Sequence, residues 1–216
     1  MRKKIILFCI GVIVALWLFS KKCNIVIPNK YNKDITVGII DGNLSVEHGN
    51  VLNSVIIKND KQEKHGDFIL DFLEQYDKNA KIVYYDAEKE GSITTESLID
   101  GMKWMLDNDI DKVCISLSSS FYSKELEKII NNNRDNLEVY ACYSNLYNTV
   151  DYPAQYSNVI GVGSNPKVAY KSSDIKYKSN KIILVNGGIY WYNGNSYLAP
   201  MQMIIDERND NENGKD

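Results

Sequence analysis

The sequence predicts an α/β domain with a mainly parallel central sheet and helices on both faces. Two observations carry that expectation. Short runs rich in Ile and Val recur along the chain and are bounded by turn residues, as buried strands are. Between them lie segments whose apolar residues fall on one helical face, and strands alternating with such stripes build a covered parallel sheet. The size agrees, because 216 residues, 44% hydrophobic and 25% charged, suit one globular domain with short additions.

Residues 1–23 stand apart. Met1-Arg2-Lys3-Lys4 is a positive cap, Ile5 to Phe19 carries no formal charge, and Lys21 and Lys22 close the run. It is short for a bilayer span of ~20 residues, although Ser20 and snorkelling lysines extend its reach. It also fits the apolar region of a secretory signal. Leu18-Phe19-Ser20 puts Phe where a cleavage site needs a small residue, and Lys21-Lys22 stand before Cys23 where a lipobox needs small residues. The expectation is therefore a retained signal anchor holding the chain to the cell membrane through residues 5–20, single-pass, with the domain outside. A secreted domain follows if residues 1–23 are cleaved. Residues 24–34, with Pro28, Asn29 and Asn32 and no periodicity, read as a linker.

The α/β pattern occupies residues 35–207. Ile35 to Ile40 is a buried strand ending at Asp41, and Val55-Ile56-Ile57 is a short apolar run. Phe68, Ile69, Phe72, Leu73 and Tyr76 share one helical face, so a helix is expected to begin near His65. Lys81 to Tyr85 is a second strand. Thr94 or Thr95 caps the next helix, whose stripe is Leu98, Ile99, Met102, Met105 and Leu106. Lys112 to Ser116 is a third strand, and Leu126, Ile129 and Ile130 mark another helix. Leu137 to Ala141, Val159 to Val162 and Ile182 to Val185 are further strands. The polar tail 208–216 is expected to be disordered.

Several function classes recede on composition. Net charge is −3 with no basic stripe, so nucleic acid is not an expected partner. Of four cysteines, Cys9 and Cys23 lie in or beside the apolar run, and Cys114 and Cys142 lie inside strands. No C-x-x-C spacing occurs, so neither a structural zinc nor another metal or cofactor is expected.

Three segments bear chemistry. Asp41 ends a strand, where α/β sheets meet their ligands, although a loop Asp there is common. His48 and His65 are the two histidines, so a His-activated nucleophile must use one of them. His65 opens a helix immediately before Gly66, a position that a simple helix-cap residue also fills. Ser196 lies in Gly194-Asn195-Ser196-Tyr197-Leu198-Ala199-Pro200, where the positive end of a following helix and its backbone N–H groups can hold an oxyanion.

These segments, in the order Asp, His, Ser, resemble the subtilisin-like serine peptidases, and the order separates them from chymotrypsin and the α/β-hydrolases. His65-Gly66-Asp67 resembles the family's His-Gly-Thr. Asp41-Gly42-Asn43 resembles Asp-(Ser/Thr)-Gly, and residues 194–200 resemble Gly-Thr-Ser-Met-Ala-x-Pro, with Asn195 for Thr and Leu198 for Ala as departures. Glu138 to Asn145 resembles the strand ending Ala-Ala-Gly-Asn. Tyr152-Pro153-Ala154-Gln155-Tyr156 with Val159-Ile160-Gly161-Val162-Gly163 resembles the segment that follows it.

The resemblance implies a three-layer subtilisin-like fold and a serine endopeptidase without a cofactor. Asp41, His65 and Ser196 would form the triad, and Asn145 with the Ser196 N–H the oxyanion hole. Ser116, Leu117 and Ser118 would form an edge that pairs with an extended peptide or protein substrate. His48 matches a family histidine of a loop, which implies a structural role. Residues 24–34 are too few for the family's propeptide, and the short core implies loss of surface loops, calcium-binding ones among them. Limited processing of a peptide or exported protein suits this architecture. The alternative is a catalytically degenerate subtilase that binds peptides or a partner.

Overall fold

The structure, a computed structural model, describes residues 2–20, 23–26, 31, 33–45, 48–55, 64–145, 151–163, 180–185 and 188–212. In chain order the elements are α1 (Arg2–Ser20), β1 (Cys23–Val26), β2 (Ile35–Asp41), β3 (Val51–Val55), α2 (His65–Tyr76) and β4 (Ala80–Asp86). There follow β5 (Glu88–Lys89), β6 (Ser92–Ile93), α3 (Thr95–Asp107), β7 (Lys112–Ile115), α4 (Lys124–Asn133) and β8 (Glu138–Cys142). The chain closes with β9 (Val159–Val162), β10 (Asn180–Val185), β11 (Gly188–Asn193), a 3-10 turn (Asn195–Tyr197) and α5 (Leu198–Glu212).

Six strands form the central sheet in the order β3-β4-β2-β7-β8-β9, and every neighbouring pair is parallel. Buried parallel strands need apolar side chains on both faces. In β2, Val37 and Ile39 enter one cluster with Phe72 and Leu73 of α2 and Met203 and Ile204 of α5. The alternate Ile40 enters the other with Leu98 and Met102 of α3 and Leu126 and Ile130 of α4. The period of two in the strands thus sorts the helices, α2 and α5 to one face and α3 and α4 to the other.

Local signals place the ends. Thr94 Oγ1 accepts the Ser97 N–H at 3.1 Å and Ser97 Oγ accepts the Thr94 N–H at 3.0 Å, a reciprocal cap that starts α3. Ser123 Oγ accepts the Leu126 N–H at the start of α4. Between β5 and β6, Glu90 and Gly91 have φ of 53° and 81°, the positive pair that a tight two-residue hairpin requires.

Two expectations are corrected. The linker does not run unstructured from residue 24, because Cys23–Val26 pairs in parallel with β10, and β10 pairs antiparallel with β11. The tail is not disordered from residue 208, because α5 continues to Glu212. The cause is Arg208, 3% exposed, whose guanidinium donates to both Asp77 oxygens at 2.9 and 3.0 Å and to the Lys33 carbonyl, with its charge 4.3 Å from the Tyr31 ring centre. Ile56, Ile57, the lysines at 21 and 22, Pro28, Asn29, Asn32 and residues 213–216 lie outside the described residues. Along α1, Ile5, Phe8, Ile13, Leu16 and Trp17 are exposed. Among the described residues, no helix is long and apolar enough to cross a membrane.

Candidate active site

Asp41 is the last residue of β2, near the centre of the sheet, and is fully buried. Its carboxylate oxygens lie 2.8 and 2.9 Å from His65 Nδ1, and Oδ1 also accepts the Gly42 N–H at 2.7 Å. A carboxylate is an acceptor, so the proton of this bond sits on Nδ1 and leaves Nε2 of the neutral ring as the acceptor. Burial pushes the Asp41 carboxyl above the usual carboxylate range, and the His65 bond and charge only partly offset it. Burial disfavours the charged His65 ring, but the bond to Asp41 and its charge outweigh that, and the imidazole is held above its ordinary 6.5. The His65 side chain is 44% exposed, so the ring stands between a buried acid and solvent.

His65 is the first residue of α2, and Gly66 explains how the helix comes so close to β2. A Cβ at Gly66 would collide with the Tyr84 hydroxyl and lie 2.7 Å from the Gly42 carbonyl oxygen and 2.8 Å from that of Asn43. Asp67, where the family motif has Thr, binds the turn together. It accepts the Ser45 N–H at 2.9 Å, the Ser45 hydroxyl at 2.5 Å and the Lys64 N–H at 3.4 Å. His48 Nε2 stands 3.3 Å from Asp67 Oδ1 and Nδ1 3.7 Å from Glu74 Oε1, which places this histidine in the supporting loop.

Ser196 sits in the 3-10 turn that leads into α5, half-buried. Gly194 before it has φ of 126°, a backbone that side chains rarely adopt. The turn is fastened to the end of β8. Asn195 Nδ2 donates to the Tyr143 and Ser144 carbonyls at 3.0 and 2.9 Å, and the Asn195 N–H donates to Asn145 Oδ1 at 2.8 Å. That last bond fixes the Asn145 amide against Gly194, with Nδ2 at 3.4 Å and Oδ1 at 3.6 Å from where a Cβ would stand. Leu198 is fully buried within the core cluster that contains Phe72 and Met203.

The Cys142 thiol is pushed up to about 12, first by burial and then by the Asp41 charge, with the neighbouring Ser196 hydroxyl acting against them. Among the described residues no hydrogen bond joins Ser196 to His65. Contacts of this kind are often long without substrate. Asp41 and His65 therefore meet as a bonded pair, while Ser196 and Asn145 meet as a second unit across Asn195.

On the expected substrate edge, Ser116 is buried at 1%, its hydroxyl 3.5 Å from Cys114 Sγ and its N–H bonded to the Ile40 carbonyl. Leu117 is half-buried and Ser118 exposed, and Ser119 pairs with Tyr152 in an antiparallel bridge. Leu117 and Ser118 thus present side-chain surface along this segment, and Ser116 presents almost none. Sequence reasoning missed the bracing roles of Asp67 and Asn195, whose only signal was that each departs from the family motif.

A parallel α/β sheet thus carries an acid at one strand end bonded to a histidine that opens the adjoining helix, and a serine in the turn before the last helix. The solved structures that share this fold include a cold-adapted subtilisin-like serine proteinase, with TM-score 0.61, 20% identity and coverage of 85% of this chain and 79% of that one. A lanthipeptide protease aligns with TM-score 0.59 and 14% identity over 78% of this chain and 70% of its own. The prenylagaramide maturation protease PagA aligns with TM-score 0.56 and 14% identity over 82% and 77%. No curated protein matches the chain. Residues 30–200 match the subtilase family, peptidase S8, and the chain belongs to that family of serine peptidases.

Proposed function

We propose that the chain is a subtilisin-like serine endopeptidase anchored to the membrane, with Asp41, His65 and Ser196 as its triad. Ser196 Oγ attacks the scissile carbonyl while His65 Nε2 takes its proton and later delivers it to the leaving amine. Asp41 holds the ring through Nδ1 and stabilises the imidazolium. The Asn145 amide and the Ser196 N–H receive the negative charge that develops on the carbonyl oxygen.

The observation that carries the reading is the bond between the fully buried Asp41 and His65 Nδ1 at 2.8 Å. A buried acid fixing one imidazole nitrogen and freeing the other is what general-base catalysis requires. Leu117 and Ser118 line the edge along which an extended peptide adds as a strand. Likeness in fold to a lanthipeptide protease and to a maturation protease supports limited processing of a peptide or exported protein as the task. The exposed apolar side chains of α1, a helix of 19 residues, support association with a membrane through residues 5–20.

A second reading, peptide binding without cleavage, draws on Ser196 and His65 not being hydrogen-bonded to one another among the described residues. Incubating the full chain in detergent with internally quenched peptides separates the two. Hydrolysis that disappears in Ser196→Ala supports the peptidase. A folded wild type that binds the peptides and leaves them intact supports the alternative.

A further inference from the structure

We propose that Tyr84 is a positioning residue for the Asp41–His65 pair, acting through Gly42 without touching substrate. This rests on the peptidase reading. Tyr84 lies in β4 opposite Ile39 of β2, fully buried. Its hydroxyl donates to the carbonyl of Gly42, the residue whose N–H donates to Asp41 Oδ1 at 2.7 Å. The same hydroxyl fills the space beside Gly66, next to His65. One phenol thus fixes the turn after the acid and the helix start at the base.

The chemistry of the phenol suits this task. Burial raises its pKa well above 10, and the charges of Asp41, Asp86, Asp67 and Glu88 raise it further. The hydroxyl therefore keeps its proton and stays a donor throughout the working range. Without it the buried Gly42 carbonyl loses its partner and the Gly42–Asn43 peptide can turn. Through the Gly42 dihedrals, the preceding N–H that holds the Asp41 carboxylate facing Nδ1 then loses its fixed place. The protonated form of His65 then loses part of its support and its pKa falls.

Tyr84→Phe removes the donor and keeps the ring. The comparison is Tyr140→Phe, which removes another buried hydroxyl, bonded to Glu138 and Asp206 outside this site. With the full chain in detergent, Tyr84→Phe is expected to lower kcat about tenfold with KM little changed, and to move the acid limb of the kcat/KM profile to lower pH. Tyr140→Phe is expected to lower thermal stability and leave the profile in place. An unmoved limb in Tyr84→Phe, or equal effects of both variants, overturns the proposal.

If the wild type proves inactive the peptidase reading fails, and the proposal is still read from the His65 Nδ1–H proton resonance. A resonance that moves upfield in Tyr84→Phe supports positioning, and one that stays overturns it. Should Tyr84→Phe not fold, 3,5-difluorotyrosine at position 84 keeps the shape and strengthens the donor. The acid limb, or in an inactive protein the resonance, then moves in the opposite direction, and no movement overturns the proposal.

Discussion

Replacing Asn145 by alanine removes two interactions at once, and their separate sizes can be worked out. In the proposed oxyanion hole the Nδ2 group is a donor, and losing one such donor costs about 2.7–4 kcal/mol of transition-state stabilisation, or about 100- to 1,000-fold in kcat. The Oδ1 acceptor holds the Asn195 N–H at 2.8 Å, and Asn195 is only 2% exposed. An N–H orphaned there costs about 1–3 kcal/mol of folding stability. At a urea dependence of about 1–3 kcal/mol per molar, that shifts the unfolding midpoint by roughly 1 M. Asn145→Asp separates the effects, because the carboxylate still accepts the Asn195 N–H but cannot donate to an oxyanion. Steady-state kinetics on an internally quenched peptide, with urea unfolding of the same samples, reads both quantities. Asn145→Ala is expected to lose rate and stability, and Asn145→Asp to lose rate while keeping most of the stability. The reasoning is refuted if Asn145→Ala loses stability but keeps kcat within about threefold of wild type.

Other consequences follow from the same contacts. Asp41→Asn leaves the Nδ1 bond to an amide that can orient either way, and kcat is expected to fall about 10⁴-fold with KM nearly unchanged in steady-state assays. Because Asp41 holds the His65 pKa above 6.5 and the base must be neutral, kcat/KM is expected to rise with pH along a limb centred above 6.5. The stability from that raised pKa is fully present below 6.5 and is lost as pH rises through the folded value, which urea midpoints across the range will show. Arg208→Ala leaves the Asp77 carboxylate buried and unpaired, and chemical denaturation is expected to show a loss of about 3–5 kcal/mol.

Most of the central sheet was legible from its apolar runs and the one-sided stripes of the helices between them, so the change of period marked Asp41 and His65 at element ends. By contrast β3, half-exposed and with Asn53 and Ser54 in it, gave no such run. Cys23–Val26 was not legible as a strand. Four residues have no period of their own, and their partner is β10, far along the chain. Arg208 read as the start of a polar tail because composition does not say that Asp77, 131 residues away, waits buried for its charge. At the site, residue types at motif positions were readable, whereas the bonds that brace them were not. Asp67 looked like a departure from a threonine, and only the fold brings Ser45, Lys64 and His48 to its oxygens. Tyr84 looked like one more aromatic strand residue until the fold set its hydroxyl under Gly42 and Gly66.

The most direct test of the central claim is the identity of the nucleophile. The full chain in detergent is treated with a fluorophosphonate probe at neutral pH and digested for mass spectrometry, beside Ser196→Ala and His65→Ala. A single adduct on Ser196 that disappears in both variants is the predicted result. A folded wild type without an adduct, or one that carries it on another residue, contradicts the account.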